Sequence, residues 1–143
     1  MNKTDKSKII PHIRFIEKEL EFLETYKKEL DWKVYQSQRE KRLEVERWTE
    51  CIINAVLDTS KMMFTINRED VPETSRELLF KIGADIFKKE EEAVSFSELA
   101  RIRNTLAHRY LDLRWKDIKR FFQIAEKFLP DFLGHMKKQI QKT

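Results

Sequence analysis

Apolar side chains recur along this chain at steps of three, four and seven, the spacing of one face of an α-helix. Ile9, Ile13, Ile16, Leu20, Leu23 and Leu30 form the first such stripe. It predicts a helix from about Ser7 to Leu30, or from about residue 10 if Pro11 sits in the first turn. The aromatic-bearing stretch "DWKVYQSQ" reads as a connection, and Ser37 with Glu40 reads as a capping box. A second helix then runs to about Phe64 with Val45, Trp48, Ile52, Ala55, Thr59 and Met63 on its inner face. "NREDVP" is the next break. Asp70 with Glu73 is expected to cap a third helix, with Pro72 in its first turn, Leu78, Leu79 and Ile82 inward, and Gly83 at its end.

The charged segment "KKEEEAVS" is read as a linker, and Ser95 with Glu98 as the capping box of a fourth helix starting near residue 96. A fifth is expected from about Arg114 to Gln139. Ile118, Phe121, Phe122, Ala125, Phe128, Leu129 and Phe132 point inward on it, and Pro130 kinks it. No segment shows sustained period-two alternation. The expected fold is therefore all-α, an antiparallel bundle of about five helices forming one domain over residues 1–143.

Composition agrees with this reading. The 143 residues include two Gly and three Pro, so turn chemistry is scarce, and 41% hydrophobic content is enough for a real core despite 38% charged residues. Cys51 is the single cysteine, which excludes an internal disulfide; within an apolar stripe it reads as a buried, inert thiol. No Cys or His spacing suggests a metal site, no glycine-rich loop suggests ATP hydrolysis, and no cofactor is indicated. His12 and His135 lie near the chain ends and read as surface residues with no assigned role. The N-terminus lacks a secretory h-region and no apolar run reaches membrane-spanning length, so the expected compartment is the cytoplasm.

Charge is unevenly placed. The net charge is +4, yet residues 101–120 hold seven Lys or Arg against two acids, a local +5 that leaves the remainder at −1. A polyanion such as RNA would be drawn to that window.

The same window contains Arg103-Asn104-Thr105-Leu106-Ala107-His108-Arg109-Tyr110. With Arg103 at zero on a helical wheel, Phe96, Leu99, Ile102 and Leu106 centre a core stripe near about −50°, while Asn104 falls near about 100° and His108 near about 140°. Asn104 and His108 are thus i, i+4 neighbours facing away from the core, toward solvent, a partner or a ligand. The residue types suit metal-independent RNA cleavage. A histidine can take the proton of a ribose 2′-OH, an arginine can hold the phosphate and its developing charge, and an asparagine can orient either. One such histidine per chain is short of a base and an acid, and a symmetric dimer would supply both.

This stretch resembles the R-x4-H-x-Y signature of HEPN-domain toxins, and more narrowly the HEPN partner of minimal-nucleotidyltransferase (MNT) toxin–antitoxin pairs. "EVERWTECIINAVLDTSKMM", "VPETSRELLFKIG" and "FSELARIRNTLAHRYLDL" resemble that family's second, third and fourth helices, so the likeness spans about residues 5–138. The resemblance implies a HEPN-like helical bundle that forms a homodimer, and a metal-independent endoribonuclease with a composite cleft at the dimer interface. Arg103 and His108 would be its catalytic pair, with Asn104 and Arg109 supporting and binding RNA. It further implies a nucleotidyltransferase antitoxin as partner, able to transfer AMP to Tyr110. The sequence departs from the pattern after the tyrosine, where Leu111 precedes Asp112. The resemblance would also set Asp58, on the second helix, at a polar position near the cleft. Two other readings compete: a non-catalytic subunit that presents nucleotide or substrate to a nucleotidyltransferase, and a helical interaction protein with a charged surface.

Overall fold

A computed structural model describes residues 1–108 and 113–142. Among these residues there are seven helices and no strand: α1 (Lys3–Leu20), α2 (Leu23–Glu29), α3 (Trp32–Ser37), α4 (Arg39–Ile66), α5 (Ser75–Phe87), α6 (Glu90–Leu106) and α7 (Trp115–Gln141). The all-α expectation holds, while the expected five helices become seven because the first is split and the aromatic connection is itself helical.

The first helix begins earlier than expected. Asn2 Oδ1 accepts the Asp5 N–H at 2.7 Å and starts α1 at Lys3, which places Pro11 in the helix interior. Pro11 lies on an exposed face, where solvent can serve the carbonyl left without its donor. The helix then breaks at Glu21–Phe22. There the backbone tightens to i−3 bonds, and the Trp48 indole N–H donates to the Glu19 carbonyl at 3.0 Å. Leu23, Tyr26 and Leu30 stay buried across the break.

Three capping assignments are corrected. Ser37 Oγ donates backward to the Lys33 carbonyl at 2.6 Å, so α4 starts after Gln38 with no side-chain cap. Thr74, rather than Asp70, caps α5, its Oγ1 accepting the Glu77 N–H at 3.1 Å in a T-x-x-E box. The helix α6 starts at Glu90, not near residue 96, because three glutamates in its first turn suit the positive end of the helix dipole. Ser95 accordingly lies inside the helix.

Gly83 does not end its helix, which continues to Phe87 with Lys88 in the left-handed conformation. It is buried where α5 meets α6: a Cβ placed there would sit 3.1 Å from Ala93 Cα. The glycine thus allows α5 and α6 to pack backbone against backbone, and they form the most extensively contacting pair in the bundle. The inward residues named for α4 to α7 are buried, with Phe96, Leu99, Ile102, Leu106, Phe121 and Phe132 fully enclosed. Two ion pairs lock α6 to α7. Arg120 grips Glu98 bidentately, both contacts at 2.9 Å, and Arg101 reaches Asp117 at 2.8 Å. Among the described residues no helix is long and apolar enough to cross a membrane.

Candidate functional site: a basic cleft between α5 and α6

The core stripe of α6 orients the motif. With Leu99, Ile102 and Leu106 buried, Asn104 must project outward, and it is exposed. The helix ends at Leu106, earlier than the wheel assumed. Ala107 is its C-cap, and the His108 N–H closes a tighter turn onto the Thr105 carbonyl at 3.1 Å. The imidazole nevertheless returns to the Asn104 side, and both residues line one cleft.

That cleft measures about 590 Å³. One wall is the N-terminal end of α5, with Thr74, Ser75 and Arg76. The other is α6 with Arg101, Asn104 and His108, closed by Arg114 and Asp117 at the start of α7. Among the described residues, three arginines and a single carboxylate line the cleft. Arg101 is engaged by Asp117 and, at 3.8 Å, by Glu98. Arg76 is exposed and has no ion pair among the described residues.

Arg103 is placed differently. It is half-buried and does not line the cleft that holds His108. Its Nε is buried with no hydrogen-bond partner among the described residues. Within the chain the structure therefore joins Asn104 to His108 in one cleft and leaves Arg103 outside it. Arg109 and Tyr110 lie outside the described residues.

The remaining named positions fall elsewhere. Asp58 lines a groove between α1 and α4 with His12, Phe15 and Cys51, away from His108. Cys51 is half-buried rather than fully buried. His135 is also not a plain surface residue. Half-buried, it lies 3.6 Å from Asp85, and its burial pushes its pKa below the ordinary value despite that carboxylate. Among the described residues no three His, Cys, Asp or Glu side chains converge to hold a metal ion.

Sequence reasoning missed Arg76. It sits between the break "NREDVP" and the apolar face of α5, and its only local signal was the unrecognised T-x-x-E cap, which fixes where α5 begins. Tyr35 and Glu46 were missed as well. The Tyr35 hydroxyl donates to the buried Glu46 carboxyl group and accepts the Arg114 N–H at 3.2 Å, anchoring the start of α7 at the cleft edge.

An all-helical bundle with this basic cleft beside an R-N-x3-H helix end is matched, over residues 16–138, by the family model described as Ribonuclease HepT-like. The chain belongs to the HepT-like ribonuclease family. The match covers most of the chain and includes both walls of the cleft. Membership makes this a HEPN-type bundle and carries ribonuclease activity in general terms. Among curated proteins none matches the chain significantly.

Proposed function

We propose that this chain is the toxin component of a toxin–antitoxin pair, a metal-independent endoribonuclease that cuts cellular RNA through Arg103 and His108 at a homodimer interface. The observation that carries the reading is the shared cleft of Asn104 and His108 under three arginines, in a chain of a ribonuclease family. His108 accepts the proton of a ribose 2′-OH. The oxygen attacks the adjacent phosphorus, the bond to the 5′-oxygen breaks, and a 2′,3′-cyclic phosphate and a 5′-hydroxyl result. A second imidazole, from a second copy, returns a proton to the leaving oxygen. Arg103 stabilises the charge on the phosphate, Asn104 orients the imidazole or holds a ribose hydroxyl, and Arg109 adds to RNA binding. The antitoxin is a minimal nucleotidyltransferase that transfers AMP from ATP to the Tyr110 hydroxyl, which loses its proton as pyrophosphate leaves, placing a bulky anion where an RNA phosphate would otherwise bind.

The test is RNA cleavage by purified protein in EDTA. Wild type should cut, and His108→Ala and Arg103→Ala should not, while circular dichroism reports an intact fold. Cleavage by His108→Ala at the wild-type rate would remove His108 from the chemistry. Intact mass after co-expression with the neighbouring nucleotidyltransferase should show an added AMP that Tyr110→Phe loses.

One observation favours a second reading, a non-catalytic subunit that presents nucleotide or RNA to its partner. Arg103 does not line the His108 cleft. Tight RNA binding by wild type with no cleavage under any condition would select that reading.

A further inference from the structure

We infer that Arg76 forms a second phosphate subsite, across the cleft from His108, that takes a backbone phosphate of single-stranded RNA next to the one being cleaved. The inference rests on the ribonuclease reading for its ligand, and on the cleft alone for its geometry.

Arg76 comes from α5, a different element from the one that carries Arg103, Asn104 and His108, yet all but Arg103 of these residues line the same 590 Å³ of space. The position is rigid. Thr74 caps α5 just before it, and the close approach of Gly83 to Ala93 fixes α5 against α6. The backbone that carries Arg76 is thus set relative to α6 without a loop to reorder, and its exposed side chain can extend into the cleft.

The availability of charge singles this residue out. Arg101 would have to release Asp117 and Glu98 before it could take a phosphate fully. Arg76 has nothing to release, since the acid one position on, Glu77, pairs with Lys81 at 3.7 Å. Thr74 Oγ1 accepts the Glu77 N–H and, like the Ser75 hydroxyl, keeps a neutral O–H donor, so the guanidinium is the cationic donor on that wall. A guanidinium binds a phosphate through two parallel hydrogen bonds, a geometry that an ammonium cannot reproduce.

The cleft volume falls within the range of small-ligand sites, about 300–1,000 Å³. It admits a nucleotide-sized group, whereas a duplex would present a convex sugar–phosphate surface to it. A single strand can lay the scissile linkage against His108 and its neighbouring phosphate against Arg76. The enzyme would therefore bind a chain with a second phosphate more tightly than a dinucleotide with one.

The experiment measures binding of a fluorescent single-stranded oligoribonucleotide by anisotropy, in the His108→Ala background so that no cutting intervenes, across a salt series. Adding Arg76→Ala should weaken binding about fivefold to tenfold at low salt and flatten the slope of log affinity against log salt by about 0.7, the release expected for one single-strand phosphate contact. Arg76→Lys should recover part of the loss. Lys61→Ala, an equal charge change at an exposed position of α4 outside the cleft, should leave both quantities unchanged. In the otherwise wild-type enzyme, Arg76→Ala should raise KM with little change in kcat. Unchanged affinity and slope in Arg76→Ala, or equal losses in Arg76→Ala and Lys61→Ala, would overturn the subsite. Failure of wild type to cut RNA, with Arg76-dependent binding intact, would instead overturn the nuclease reading and leave the subsite standing.

Discussion

The Tyr35 hydroxyl donates a hydrogen bond to the Glu46 carboxyl group inside the bundle, and both residues are almost completely enclosed. The same phenol oxygen accepts the Arg114 N–H, so one buried pair ties α3 and α4 to the first turn of α7. The arrangement raises the Tyr35 pKa well above its ordinary value, chiefly by burial and then by the hydrogen bond to Glu46. Tyr35→Phe keeps the ring against Trp115 but removes the hydroxyl that bonds both the Glu46 carboxyl group and the Arg114 N–H. The expected cost is about 2–3 kcal/mol, read as a lower urea midpoint with an unchanged slope. A urea midpoint as high as that of wild type would contradict this explanation.

The Glu98–Arg120 pair predicts an acid-sensitive link between α6 and α7. The Arg120 guanidinium holds the Glu98 carboxyl below its ordinary value of 4.5. The unfolded chain therefore binds this proton at a higher pH than the folded one does. The pair's contribution is present above about pH 4.5 and is lost as pH falls through the lower folded value. Both side chains are about one-third exposed, so the contribution is at most about 1 kcal/mol. Glu98→Gln should melt below wild type at pH 7, and the two curves should converge toward pH 3. A gap that stays constant with pH would assign the loss to packing rather than charge.

Much of the bundle was legible from periodicity. The inward faces of α4 to α7 follow the apolar spacing because burial of those side chains dominates the energy, and residue type states that contribution directly. The helix ends were less legible. Ser37 and Ser95 fit capping patterns, but a serine hydroxyl can equally bond back to a carbonyl within a helix, as Ser37 does to Lys33. For the site, outward placement of Asn104 and His108 followed from the core stripe of α6. The opposite wall did not, since bringing Arg76 to His108 depends on how α5 crosses α6. That crossing is set by a glycine whose role is to be small, a property that its neighbours in sequence do not reveal.

The α5–α6 crossing can be tested with the two glycines. A methyl group added at Gly134, inside α7, would have nothing within 4 Å of it, so Gly134→Ala should stabilise the fold by up to about 1 kcal/mol through helix propensity. At Gly83 the same methyl meets the Ala93 backbone at 3.1 Å and the Phe96 ring at 3.4 Å. Gly83→Ala should therefore show less gain than Gly134→Ala, and Gly83→Val should lose about 2 kcal/mol or more as α5 and α6 are forced apart. Gly83→Val should also weaken RNA binding, because the two cleft walls sit on those helices. Equal stabilisation by alanine at both sites would show that the helices are not held this closely.

Asp117 is the carboxylate that lines the cleft with the three arginines, and it lies largely buried against Arg101. It steadies α7 from its first turn but opposes any phosphate entering the cleft. Asp117→Asn keeps the shape and an acceptor while removing the charge. If the cleft takes RNA, as proposed, the variant should bind single-stranded RNA about twofold to fivefold more tightly at low salt, with the gain fading as salt screens it. Its thermal stability should fall by no more than about 1 kcal/mol. Stability and affinity thus move in opposite directions, which separates a charge effect at the cleft from general loosening of the fold. Weaker binding at low salt, with the fold intact, would mean that RNA does not pass over this carboxylate.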